Sequence, residues 1–175
     1  ATTDAITGLL NRATLEKYIK SELEMLGEEE SCALFIIDLD NFKLINDTFG
    51  HQTGDQALRK FAKMLAGLFR AGDLVGRLGG DEFAIFLWGK ITKKLAQNKG
   101  EEICREMQLA FGNDPVINLT ASVGIYWSAY DEKPNFEEMY RLADQALYEA
   151  KKAGKHGFSL KFHQEYPQEE VSNFR

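Results

Sequence analysis

The sequence predicts an α+β sandwich, in which one mixed or antiparallel sheet of about five strands is covered by helices. Three observations predict it. A length of 175 residues suits a single domain, large enough to hide about 70% of its unfolded surface in one core. Helical and strand-like hydrophobic periods alternate along the chain, in the order helix, strand, helices, two strands, helix, strand, helix. Two of the strand-like runs flank Gly79 and Gly80, the chemistry of a tight hairpin, so part of the sheet is antiparallel.

Asn11 caps a helix that carries Leu15, Tyr18, Ile19 and Leu26 on one side, and the polar run 27–31 ends it. Ala33 to Ile37 reads as a strand buried on both faces, stopping at Asp38. A short segment from Phe42 to Phe49 leads to Gly50. Thr53 and Gln56 then resemble a capping box, opening a helix with Leu58, Phe61, Ala62, Leu65, Leu68 and Phe69 inward. Leu74–Leu78 and Phe83–Leu87 are the hairpin strands, a helix spans about Lys93 to Phe111, and Leu119, Ala121, Val123 and Ile125 alternate as a strand. Phe136, Met139, Tyr140, Ala143, Ala146, Leu147 and Ala150 share one face of the last long helix, with Gly154 placed to end it. Phe158 to Phe162 adds an edge strand. Residues 1–162 form the domain and 163–175 a polar, loosely held tail.

Composition narrows the function. Hydrophobic residues make up 44% and charged residues 27%, with 15 glycines and 3 prolines, which excludes disordered, collagenous and low-complexity classes. A net charge of −6, with no long block of like charge, argues against a nucleic-acid coat and leaves a small anionic ligand bound with its own metal. Cys32 and Cys104 form no CxxC or Cys/His cluster, so they read as reduced, buried thiols of a cytoplasmic protein. No apolar run in this chain is long enough to span a membrane. The chain starts with Ala rather than Met, the mark of a fragment from a larger regulated protein that a membrane segment elsewhere could anchor.

The acids point to chemistry. The apolar strand runs into Asp38, Leu39 and Asp40, and Asp81 and Glu82 follow the double glycine directly. If the two strands are neighbours, three or four carboxylates converge at an open edge, a hard oxygen environment that suits Mg²⁺. Taken singly, Asp38 and Asp40 read as helix caps and Asp81 and Glu82 as solvated turn residues. Strand alternation makes Asp81 and Glu82 diverge unless the turn twists them together, and spacing leaves open which of them faces Asp38.

Gly79-Gly80-Asp81-Glu82-Phe83 resembles the signature of the GGDEF domains, diguanylate cyclases that join two GTP molecules into cyclic di-GMP. It is accompanied, in the family's order, by residues 4–12 (DAITGLLNR), 38–47 (DLDNFKLIND), 50–55 (GHQTGD) and 143–151 (ADQALYEAK). The resemblance covers about residues 4 to 160. It implies a nucleotide-cyclase or polymerase-palm-like fold with a ferredoxin-like core. It also implies a Mg²⁺ cofactor, with Mn²⁺ as a substitute, and a homodimer in which two domains each present one GTP.

Carried over residue by residue, the resemblance makes Asp38, the Leu39 carbonyl and Asp81 metal ligands. Glu82 serves both metal and catalysis, alongside Asp81. Asn46 and Asp55 match the pair that reads the guanine edge, where Asp55 accepts and Asn46 both donates and accepts. Asn41, Phe42, Lys43, Lys151 and Lys155 match the positions that meet the triphosphate. Lys155 replaces the arginine of many relatives and acts as a point charge, and His156 stands where relatives often carry Asn. Gly79 and Gly80 shape the signature turn.

Arg70-Ala71-Gly72-Asp73 matches an Arg-x-x-Asp site through which cyclic di-GMP inhibits many relatives, although a helix-end arginine followed by a turn explains the same residues. The implied activity is a product-inhibited diguanylate cyclase that expels pyrophosphate. The competing reading is a catalytically silent receptor for cyclic di-GMP or GTP, a class that usually loses the signature acids. An ATP-using or mixed-purine cyclase is disfavoured by Asp55.

Overall fold

The structure is a computed structural model that describes residues 1–129 and 133–162; the polar tail expected at 163–175 lies outside the described residues. The elements run α1 (Arg12–Glu24), β1 (Ser31–Asp40), α2 (Phe42–Phe49), α3 (His51–Gly67), β2 (Leu74–Gly79), β3 (Glu82–Gly89), α4 (Lys93–Phe111), β4 (Thr120–Ser128), α5 (Phe136–Lys152) and β5 (Gly157–Phe162). The five strands form one sheet in the order β2-β3-β1-β4-β5. β1 is central and antiparallel to both β3 and β4, and β5 joins β4 in parallel at the edge. The expected mixed sheet is therefore present.

Side-chain alternation along β1 divides the core. Ala33, Phe35, Ile37 and Leu39 face one layer, with Phe42 and Ile45 of α2, Phe61 and Leu65 of α3, and Ile103 and Met107 of α4. Cys32, Leu34 and Ile36 face the other, with Leu15 and Ile19 of α1 and Met139, Ala143 and Leu147 of α5. Both layers exclude water from β1, which explains its unbroken apolar run. Cys32 and Cys104 are both buried, and among the described residues no helix is long and apolar enough to cross a membrane.

Helix α5 approaches β4 at Gly124, where a Cβ would stand 2.2 Å from both the Ala143 carbonyl oxygen and the Leu147 nitrogen. The Asn11 side chain caps α1 by accepting from the Thr14 N–H at 2.9 Å, as expected. The capping box expected at Thr53 is not formed. α3 begins three residues earlier than a Thr53 cap would start it, after Gly50 at φ +87°, and the Thr53 hydroxyl, already inside the helix, donates back to the Phe49 carbonyl at 3.2 Å.

Candidate active site

β1 and β3 bring the acids together. Their antiparallel register ends with Asp38 directly opposite Glu82, so both side chains continue the face that carries Ile36 and Ala84 toward α1 and α5. Asp81 precedes Glu82 in the turn, and its carbonyl accepts from the Leu39 N–H at 3.2 Å, tying the turn to the end of β1. Gly79 and Gly80 have φ of +134° and +52°, values that L-residues resist, and the ladder shifts register between Arg77 and Gly79. The bulge supplies the twist that places Asp81 and Glu82 beside Asp38.

The electrostatics follow from crowding. Burial and the nearby Asp38 carboxyl push Asp81 up to about 6. Burial, Asp38 and Asp144 raise Glu82, and the Lys151 and Arg12 charges offset part of that rise. Lys151 of α5 donates to Asp38 Oδ2, which holds its ammonium above the usual lysine range despite burial. Asp38 Oδ1 is buried and has no hydrogen-bond partner.

Among the described residues, no three His, Cys, Asp or Glu side chains enclose a common point that could hold a metal ion. The donor set nonetheless fits a hard cation that takes part of its shell from water and substrate phosphate: one unsatisfied buried carboxylate oxygen, an acid opposite it in register, and a third in the adjoining turn.

Asp40 does not join the cluster, so of the three or four acids expected to converge three do, Asp38, Asp81 and Glu82. Asp40 is buried and accepts from Thr120 Oγ1 at 2.8 Å, Ser122 Oγ at 2.7 Å and the His156 N–H at 3.1 Å, so its lone pairs are committed to β4 and the turn after α5. That turn follows Gly154 and holds Lys155 and His156 at φ of +63° and +46°. It brings Lys155 Nζ to 3.4 Å from Asn41 Oδ1. Asn41 is itself left-handed, at φ +63°, and its side chain does not cap α2. The first backbone N–H groups of α2, from buried Phe42 and exposed Lys43 onward, thus stand next to Lys155, a favourable arrangement for an anion.

Asn46 and Asp55 lie on α2 and α3. A Cβ on Gly54 would be 1.8 Å from Asn46 Oδ1, so the Asn46 amide fills the space that the glycine leaves, one residue from Asp55. Arg70 and Asp73 close a turn after α3: the Asp73 carboxylate accepts from the Arg70 N–H at 2.8 Å, and the Asp73 N–H donates to the Arg70 carbonyl at 3.0 Å. The Arg70 side chain is exposed.

Several participants escaped the sequence reading. Arg77 donates through Nε and Nη2 to the Gly80 carbonyl at 3.0 and 2.7 Å, and through Nη1 to Asp4 Oδ2 at 3.1 Å, clamping the signature turn to the N-terminal segment. Burial works against the Asp4 charge, but bonds from Thr7 and the Arg77 guanidinium hold its carboxyl below the usual value. Arg12 lies over the Tyr140 ring at 5.7 Å, and burial together with Glu82 raises the Tyr140 hydroxyl. Tyr140, Asp144 and Lys151 recur at helical spacing on α5, a signal that could have marked this edge as polar.

Comparison with known proteins gives one consistent picture. A family model described as "Diguanylate cyclase, GGDEF domain" matches residues 1–157. Probable diguanylate cyclase DgcC of Escherichia coli K12 is 37% identical over 161 residues, covering 89% of this chain and 42% of that protein. Diguanylate cyclase DosC of the same organism is 35% identical over 161 residues, covering 90% of this chain and 34% of its own. The chain thus spans less than half the length of these relatives. Among solved structures, the GGDEF domain of DgcB from Caulobacter crescentus in complex with c-di-GMP superposes with a TM-score of 0.80 at 30% identity, covering 91% of this chain and 95% of that one.

Proposed function

Since the chain belongs to the diguanylate cyclase family of GGDEF domains, we propose that it condenses two GTP molecules into cyclic di-GMP, releasing pyrophosphate at each of two phosphodiester-forming steps. The observation that carries this reading is the in-register pair Asp38 and Glu82 with Asp81 in the adjoining turn. Intact acids at these positions favour an enzyme over a silent receptor.

Asp38, the Leu39 carbonyl, Asp81 and Glu82 would hold Mg²⁺ or Mn²⁺, which when bound supplies charge neutralisation at the reacting phosphate. Lys43, Lys151, Lys155, Asn41 and the Phe42 backbone receive the triphosphate. Asn46 and Asp55 read the guanine edge, Asp55 accepting from its N–H groups. Glu82, raised by burial and by Asp38, is suited to take the proton of an attacking 3′-hydroxyl. Each domain presents one GTP, so two copies must face each other before the hydroxyl of one nucleotide can reach the α-phosphate of the other.

Arg70 and Asp73 are proposed as the product-inhibition site, where the exposed guanidinium offers paired donors to a phosphate or guanine edge. The bonds within the 70–73 turn supply its shape.

The test is incubation of the protein with GTP and Mg²⁺ and separation of the nucleotides by anion exchange. Cyclic di-GMP and pyrophosphate should form in the wild type and not in Asp81→Ala. Equal turnover in the two overturns the metal assignment, and the absence of any product from a dimerised wild type overturns the activity.

A further inference from the structure

Asp38 already has a cation. The Lys151 ammonium sits on Oδ2, and the pair is partly sheltered, with 37% of the lysine side chain and 13% of the aspartate side chain exposed. Lys151 reaches the end of β1 because α5 lies against β4 at Gly124, with no side chain between helix and strand.

We propose that Lys151 and a divalent cation are alternative counter-ions of Asp38, so that metal and nucleotide bind as a unit and metal alone binds weakly. The inference rests on the metal and triphosphate roles given under Proposed function.

An ammonium and a dication compete for one small carboxylate, because like charges at contact distance repel strongly in a partly desolvated site. Oδ1 alone is open to a metal, and a dication there would stand across one carboxylate from the ammonium on Oδ2, so Lys151 must leave for Asp38 to bind a metal tightly. Its flexible stem and compact charge allow that, and Asn41 and Lys155 mark the neighbouring region where an anion would receive it. A triphosphate draws Lys151 off Asp38 and frees the carboxylate. By linkage, metal raises nucleotide affinity by the same factor. Lys151 then does two jobs: it neutralises the acids in the protein alone, and it binds phosphate in the complex.

The experiment measures Mn²⁺ binding by electron paramagnetic resonance, with and without a non-hydrolysable GTP analogue, in wild type, Lys151→Met and Lys151→Arg. Without nucleotide, Lys151→Met should bind Mn²⁺ about ten-fold tighter than wild type and Lys151→Arg about equally. The analogue should tighten Mn²⁺ binding in wild type far more than in Lys151→Met. Equal or weaker Mn²⁺ affinity in Lys151→Met overturns the inference.

Should Lys151→Met fail to fold, amine acylation of wild type mapped by mass spectrometry decides. Saturating Mg²⁺ without nucleotide should raise Lys151 labelling several-fold, and no rise overturns the inference. A wild type that binds no Mn²⁺ with or without the analogue overturns the metal assignment itself.

Discussion

Arg77 and Asp4 form an ion pair at 3.1 Å across most of the N-terminal half of the chain, and the same guanidinium holds the Gly80 carbonyl. The pair is largely sheltered, with side-chain exposures of 10% and 20%. It fixes a turn whose two glycines would otherwise leave the backbone free.

Arg77→Ala should therefore loosen the turn and leave Asp4 without its counter-charge. Loss of charged hydrogen bonds at this depth costs about 1.5–3 kcal/mol. Urea denaturation should show that loss, and turnover should fall with it because Asp81 and Glu82 are no longer held beside Asp38. Stability equal to wild type would mean that the clamp is idle.

Asp81 makes stability depend on pH. Its carboxyl is raised from 3.8 to about 6 in the fold, chiefly by burial and then by Asp38, so the folded state binds the proton more tightly than the unfolded state does. The contribution is favourable below the unfolded value and is lost as pH rises through about 6. Without added metal, wild-type stability should drop on the order of 1–2 kcal/mol between these limits, a figure already reduced for the exposed half of the group. Asp81→Asn should flatten that slope in denaturation curves collected across the range.

Asp40 serves architecture. Removing its carboxylate in Asp40→Ala strands the buried Ser122 hydroxyl, the half-buried Thr120 hydroxyl and the His156 N–H, and should cost about 2–4 kcal/mol. It also releases the turn that carries Lys155, so affinity for a GTP analogue should fall more than the stability loss alone explains. Chemical denaturation and calorimetric titration measure the two effects separately.

Gly54→Ala tests how Asn46 is placed. The new methyl collides with the Asn46 amide oxygen, the end of a flexible side chain, so the fold should survive with a small loss. Binding of a GTP analogue should weaken about ten-fold, equivalent to about 1.4 kcal/mol, and unchanged affinity would remove Asn46 from base recognition.

The sheet was legible because β1 is buried on both faces and β3 follows a double glycine, features that spacing alone exposes. Pairing between β1 and β3 was also foreseeable, but not the bulge at Arg77 to Gly79, since a register shift leaves no residue signature of its own. Whether Asp40 was a fourth acid of the cluster stayed open because alternation puts it on the face of Asp38, and only the β1–β4 register reveals Thr120 and Ser122 waiting for it. Thr53 mimicked a cap because a hydroxyl that bonds backward inside a helix carries the same sequence pattern as one that starts it. The bond from Lys151 to Asp38 depends on where α5 sits over β4, a relation between distant segments that no local pattern encodes.

Gly124 gives that relation its tolerance. Any larger residue there would push α5 outward along with everything it carries, and the lysine would no longer stand over the end of β1. A position that touches neither acid nor base thus acts as the spacer against which the site is gauged. Sequence drift among surface residues of α5 can be absorbed, whereas the loss of one hydrogen's worth of room beneath the helix cannot.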